Sequence, residues 1–182
     1  IGGNVAENSG GVHCLKYGLT VHNIQKVRAL TIEGDDVEVG SDALDAPGYD
    51  LLALAHGSEG LLALVTEVTV KLLPKPQTAQ VVMASFMDVE AAGEAVAAVI
   101  GAGIVPAGLE MMDKLATAAA EDFVHAGYDL EAEAILLCES DGTPEEVAEE
   151  IAKITAVMRE AGCTAFAVSA SEAERLRFWS GR

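Results

Sequence analysis

GSEGLLALVTEVTVKLLPKP, residues 57–76, holds the features on which the fold turns. Its middle, Leu61 to Leu73, is dense in Val, Thr and Leu. Apolar and polar residues alternate there from Val65 to Leu72, which is the pattern of a strand with one buried face. Its end, Pro74-Lys75-Pro76, places two prolines one residue apart, which favours extended backbone and interrupts helix. The chain therefore divides at this point. The residues before it are rich in glycine and turns, and those after it alternate strands with longer, alanine-rich helices. At the start of the stretch, Gly57-Ser58-Glu59-Gly60 reads as a plain turn between a short helix and the strand. The same placement would also let Glu59 accept hydrogen bonds from a ribose or order the loop.

Toward the N-terminus, Ile24 to Val39 reads as a hairpin. The runs KVRALTI and VEV flank a polar turn, Glu33-Gly34-Asp35-Asp36. DAPGY, from Asp45 to Tyr49, is a second turn, and Asp50 caps a short helix, LLALAH, that ends at Gly57. The opening stretch, IGGNVAENSGG (Ile1 to Gly11), has four glycines and two asparagines in its eleven residues. No packed element is expected from that composition. It suits a slack loop and a cradle of backbone N–H groups around a ligand equally well, because missing side chains permit close approach.

Toward the C-terminus, Gln80 to Phe86 is a strand. Asp88 caps a helix through Ile100 that Gly101 and Gly103 end. Ile104 to Met112 runs back partly extended, Asp113 to His125 is helical with a stop at Gly127, and Ala134 to Glu139 is a strand. Thr143, Pro144 and Glu146 make a capping box with proline at the first helical position, opening a helix that runs to Ala161. Thr164 to Ser169 is a last strand, and Ser171 begins a last helix through Phe178. This β-α-β-α-β-α-β-α order, without a GxGxxG after a strand or a GxxxxGK[ST], favours an α+β split βαβ sheet with helices on one face.

The formal charge of −18, from 29 acidic and 11 basic residues, disfavours nucleic-acid contact and repels an anionic membrane surface. No apolar run approaches a membrane span. Three cysteines without CxxC spacing and four scattered histidines argue against a structural zinc site and for a reducing cytoplasm. Cys138 and Cys163 read as core residues, Met111-Met112 as packing, and Glu145 to Glu150 as the solvated face of a helix. The abrupt ends at Ile1 and Arg182 suggest a piece of something longer.

IGGNVAENSGG, then Lys16-Tyr17-Gly18, then GSEG running into LLALVTEVTVKLLPKP, resembles the second half of the FAD-binding domain of the vanillyl-alcohol oxidase/PCMH flavoprotein superfamily. The branch it is most similar to is the catalytic subunit of glycolate oxidase, near the D-lactate and D-2-hydroxyglutarate dehydrogenases. The match is tight over residues 1–76. It continues more loosely through Gly108 to Asp113 (GLEMMD) and Phe178 to Arg182 (FWSGR). The fold implied is the second half of a PCMH-type FAD-binding domain, residues 1–76, followed by part of a ferredoxin-like cap domain, residues 77–182.

The resemblance implies site residues one by one. Gly2, Gly3 and Asn4 match the segment beside the isoalloxazine and the ribityl–pyrophosphate chain. Asn8, Gly10 and Gly11 match its continuation, and Glu7 stands where relatives often carry threonine. Tyr17 and Gly18 match a turn next to the flavin, Glu59 and Gly60 the GSEG turn, and Leu64 and Val65 the strip beside the adenine, with Ala63 in place of a more usual glycine. Trp179-x-x-Arg182 resembles a W-x-x-R whose arginine binds the substrate carboxylate, for which a planar guanidinium is suited.

The implied parent is an FAD-linked 2-hydroxyacid dehydrogenase acting on glycolate or D-lactate. FAD would be held non-covalently, and this chain alone would be inactive and without FAD. No catalytic or metal-binding residue is expected within the chain, because the resemblance places the base and a histidine pair downstream of Arg182. An iron–sulfur or second flavin-binding subunit is the implied partner, with a cytoplasmic location at the inner membrane through such subunits. Apolar surface left open predicts self-association. The competing reading is a non-enzymatic α+β ligand-binding or dimerisation module over residues 77–182.

Overall fold

A computed structural model describes residues 1–43 and 48–182. The turn expected from Asp45 to Tyr49 rests on Asp45, Ala46 and Pro47 and lies outside the described residues. The chain forms two compact units, Ile1–Pro74 and Lys75–Arg182.

The first unit contains α1 (Gly2–Glu7), α2 (Cys14–Tyr17), α3 (Thr20–Asn23), β1 (Ile24–Leu30), β2 (Asp36–Gly40), α4 (Leu51–Ala55) and β3 (Leu64–Val70). The strands form an antiparallel sheet in the order β2-β1-β3. The β1–β2 hairpin closes as its turn chemistry requires, pairing Leu30 with Asp36 and Lys26 with Gly40. Asp50 caps α4 by accepting from Ala53 N at 2.9 Å. In β3 the expected strict alternation is interrupted. Ala29 of β1 pairs with Val65 but Arg28 pairs with Glu67, so Thr66 is the extra residue of a bulge, and its hydroxyl donates to Arg28 O at 3.0 Å. The bulge resets the pleat, and Val65 and Val68 both face the small core of Val5, Ile24 and Val27.

The opening stretch departs from expectation, for Gly2–Glu7 is helical and Val5 is fully buried. Glycine disfavours helix by about 1 kcal/mol per residue, so tertiary contacts must supply the difference. Gly57 N donates to Val5 O at 3.0 Å and Glu59 N to Ala6 O at 2.8 Å, while Val5 packs against β1. Asn8, in the left-handed conformation with φ 49°, ends the helix.

The second unit runs β4 (Thr78–Phe86), α5 (Val89–Gly101), β5 (Gly108–Asp113), α6 (Lys114–Val124), β6 (Ala134–Gly142), α7 (Pro144–Glu160), β7 (Ala165–Val168) and α8 (Glu172–Trp179). All strand pairs are antiparallel and the order is β5-β6-β4-β7, the split βαβ arrangement of a ferredoxin-like sheet. The caps at Asp88, Asp113, Thr143 and Ser171 all form. The expectation of helices on one face is corrected. α5 and α7 cover one face through Val82, Leu136, Cys138 and Ile154. On the other face Val81, Ile135 and Leu137 pack against Tyr128, Phe178 and Trp179. β4 and β6 are apolar at both parities, not in alternation, so both faces must be covered.

Candidate functional site

In the first unit, α1 is the element around which the candidate cofactor residues gather. Ile1 supplies no side-chain cap. The N–H groups of Gly2, Gly3 and Asn4 take no hydrogen-bond acceptor among the described residues, as expected for a first helical turn. A Cβ on Gly3, Gly11 or Gly60 would meet nothing within 4 Å, so the backbone at these three positions is open to a ligand. Gly2 lies against β3, where its Cβ would stand 3.6 Å from Val65 O. Val65 itself turns toward the core, whereas Leu64 beside it is exposed.

The GSEG turn is tied to α1 by the two backbone hydrogen bonds from Gly57 and Glu59. Glu59 adopts φ 53° and Asn8 φ 49°, so a non-glycine residue occupies the left-handed region in the GSEG turn and another at the end of α1. Such conformations disfavour an L-residue by about 1 kcal/mol or more. Asn8 Oδ1 accepts from Val21 N at 3.0 Å, which fastens α3 to the same cluster. Asn23 Nδ2 donates to Tyr17 O at 2.8 Å and to Leu19 O at 3.0 Å, and so holds the Tyr17-Gly18 turn. At Gly10 a Cβ would come 2.9 Å from Leu19 Cδ2. Gly2, Gly3, Asn4, Glu7, Asn8, Gly10, Gly11, Tyr17, Gly18, Glu59, Gly60, Leu64 and Val65 thus lie on one set of elements hydrogen-bonded or paired to each other. Glu7 is exposed. A cleft of about 420 Å³ lined by Ile24, Gln25, Gly40, Asp42 and Lys71 lies elsewhere in this unit and includes none of them.

The donor set fits the phosphate and ribityl part of a dinucleotide, since open N–H groups and absent side chains are what a polyanion's oxygens need. Among the described residues no group of three or more His, Cys, Asp and Glu side chains is placed to hold a metal. Cys138 is buried, and burial pushes its thiol up to about 12, so it is an inert core thiol. Cys163 is half-buried, and burial raises its thiol as well.

In the second unit Arg182 follows α8 and is exposed, with Nε donating to Glu110 Oε2 at 2.6 Å. Two anchors hold the end of α8. Glu139, buried on β6, accepts from Trp179 Nε1 and from Arg175 Nη1, each at 2.6 Å. The Arg175 guanidinium also holds Glu172, and the Glu172 hydrogen bond followed by the Glu139 one raises its pKa. The buried Tyr128 hydroxyl donates to Phe178 O at 2.6 Å and accepts from Gly181 N at 3.1 Å. Only glycine fits at 181, since a Cβ would lie 2.6 Å from Tyr128 Cε2. Sequence reasoning singled out Trp179 and Arg182 but not Glu110, Tyr128 or Glu139. The available signal was Glu139 itself, a carboxylate at the end of the apolar run AILLCE, since a charge there must find partners.

Residues 75–182 match the family model described as FAD linked oxidases, C-terminal domain. Over all 182 residues the chain is 60% identical to glycolate oxidase subunit GlcD of Escherichia coli strain K12, of which it covers 36%. It is 38% identical to the subunit of the same name from Bacillus subtilis strain 168, of which it covers 39%. The chain thus spans little more than a third of the length of the curated relatives it matches. Among solved structures, alkyldihydroxyacetonephosphate synthase superposes with a TM-score of 0.77 at 17% identity over 99% of this chain and 36% of its own. At that identity the likeness shows the fold alone. No helix among the described residues is long and apolar enough to cross a membrane.

Proposed function

We propose, since this chain belongs to the family of FAD-linked oxidases, that it is part of an FAD-dependent enzyme oxidising a small 2-hydroxy acid of the glycolate or D-lactate type. Residues 1–76 serve as the C-terminal part of the FAD-binding domain and residues 77–182 as the N-terminal part of the substrate domain. The observation that carries the reading is the cluster on α1, where open backbone at Gly3, Gly11 and Gly60 adjoins uncapped N–H groups. FAD, when bound, would be held by the α1 cluster and would supply the two-electron redox chemistry.

The residues of this chain bind and orient. The α1 cluster holds the dinucleotide, and the Arg182 guanidinium pairs with the substrate carboxylate. The product is the corresponding 2-oxo acid. The electrons pass on to an iron–sulfur or second flavin-binding subunit, with the enzyme in the cytoplasm at the inner membrane through those partners. The resemblance of the ordered GGN, YG and GSEG motifs supports this over a non-enzymatic dimerisation module, which has no need of them.

The test uses the full-length protein. G3V and G11V each place a branched side chain in the open backbone surface without meeting a positive φ, and each is expected to purify without flavin absorbance while keeping its circular dichroism. Full flavin loading in both variants would overturn the assignment of the cluster. R182A is expected to keep flavin and raise the KM for glycolate about a hundredfold, the loss of one charge-assisted pair.

A further inference from the structure

We propose that Glu110 is a positioning residue for substrate: it holds Arg182 by one edge of the guanidinium and leaves the opposite edge free to receive a carboxylate. The inference rests on the reading that Arg182 binds the substrate carboxylate.

A guanidinium has five N–H donors spread over three edges. Arg175 of the same unit uses them differently, spreading Nε, Nη1 and Nη2 over Glu172 and Glu139. Arg182 donates to Glu110 through Nε alone, at 2.6 Å, and its Nη1 and Nη2 take no protein acceptor among the described residues. A single contact at Nε fixes the plane and direction of the fork while keeping the two terminal nitrogens side by side and unspent. That pair matches the two oxygens of one carboxylate.

Both ends of the contact are fixed in place. Glu110 stands on β5, paired with Leu137 of the central strand β6. The backbone of Arg182 is set by the anchored end of α8. Phe178 is 2% exposed, Tyr128 Oη bridges Phe178 O and Gly181 N, and Glu139 holds the indole of Trp179. An arginine side chain otherwise keeps much rotamer freedom, which binding would have to remove. The Glu110 contact removes it beforehand. Stability does not explain the pair. The two side chains are 41% and 30% exposed, and ion pairs so placed contribute little to stability.

The experiment is steady-state kinetics on the FAD-loaded full-length protein with glycolate and with D-lactate, flavin absorbance being recorded for every variant. E110A is expected to raise KM about tenfold while kcat falls less than about threefold, the signature of lost ground-state binding. E110Q keeps an oxygen acceptor for Nε–H and is expected to restore KM to within about threefold of the parent. In an R182A background, adding E110A is expected to change KM less than about twofold, because the residues act as one unit. E110D, whose shorter side chain cannot reach Nε, gives the same reading if E110A fails to fold. Parent-like KM in E110A or E110D beside a raised KM in R182A would overturn the role of Glu110 alone. So would E110Q as impaired as E110A, because charge and not direction would then be the cause. Parent-like KM in R182A would instead overturn the carboxylate reading on which the inference rests.

Discussion

In the unit Lys75–Arg182 the central strand β6 is buried along seven consecutive residues, Ala134 to Ser140, whereas β3 of the unit Ile1–Pro74 has no fully buried residue at all. The second unit covers both faces of its sheet with its own helices. The first gathers a core of Val5, Ile24 and Val27 and leaves Ile32, Leu61, Leu64 and Leu72 exposed. The second unit exposes large apolar side chains as well, among them Leu115 and Phe123, so the contrast lies in the core and not in the surface. The contrast separates two uses of a chain. One unit is stabilised by its own packing. The other spends its backbone and its small residues on presenting open N–H groups.

The widest separation between the units is expected from truncating a leucine in each. Leu136→Ala removes a fully buried side chain under α5 and α7, with an expected loss of about 3 kcal/mol in denaturant unfolding of the second unit. Leu64→Ala, at a residue 65% exposed, is expected to stay within about 0.5 kcal/mol. Equal effects would break the comparison.

A smaller effect is expected at Glu121, which accepts from Gly127 N and Tyr128 N at 2.9 to 3.0 Å. Burial raises its pKa, but the hydrogen bonds from Tyr128, Gly127 and Ala126 outweigh it and hold the carboxyl below its ordinary value. A depressed carboxyl contributes stability above the ordinary carboxylate range and loses it as pH falls through the folded-state value. Glu121→Gln is therefore expected to destabilise the second unit by about 1 kcal/mol near neutrality, and the gap should close in acid. Thermal unfolding across pH measures this, and a gap that widens in acid would contradict it.

The smallest effect belongs to the first unit and has the opposite sign. Glu59→Gly relieves the left-handed backbone at φ 53° and is expected to stabilise that unit by up to about 1 kcal/mol. The same substitution is expected to weaken FAD binding in the full-length protein, which flavin fluorescence on dilution would show. Stabilisation without loss of FAD would remove Glu59 from the cofactor cluster.

Much of this fold was legible because its signals are local. Asp50, Asp88, Asp113, Thr143 and Ser171 each cap the helix that follows, and a cap is decided within four residues. The division beside Pro74-Lys75-Pro76 is local too, since proline acts on its own φ and on the residue before it. The hairpin of β1 and β2 follows from turn chemistry next to it. The ordered motifs GGN, YG, GSEG and W-x-x-R were legible as a resemblance, which named candidate residues without geometry.

What stayed hidden depends on residues far apart in the chain. The α1 helix runs against the propensity of its glycines and forms because Gly57 and Glu59 bond to it from about fifty positions away. The bulge at Thr66 exists only in the register between β3 and β1. The second layer of helices follows from apolar runs in β4 and β6 that do not say what covers them. Glu110 meets Arg182 across 72 residues of sequence, and Glu139 meets Trp179 across 40. Sequence by itself therefore determined where elements begin, end and turn, and which residues have cofactor-like composition, because those depend on neighbours along the chain. Tertiary structure alone decided that the glycine-rich start is a helix with an open backbone face. It also decided that Arg182 is held by one edge, because both outcomes depend on partners that only folding brings within a hydrogen bond's reach.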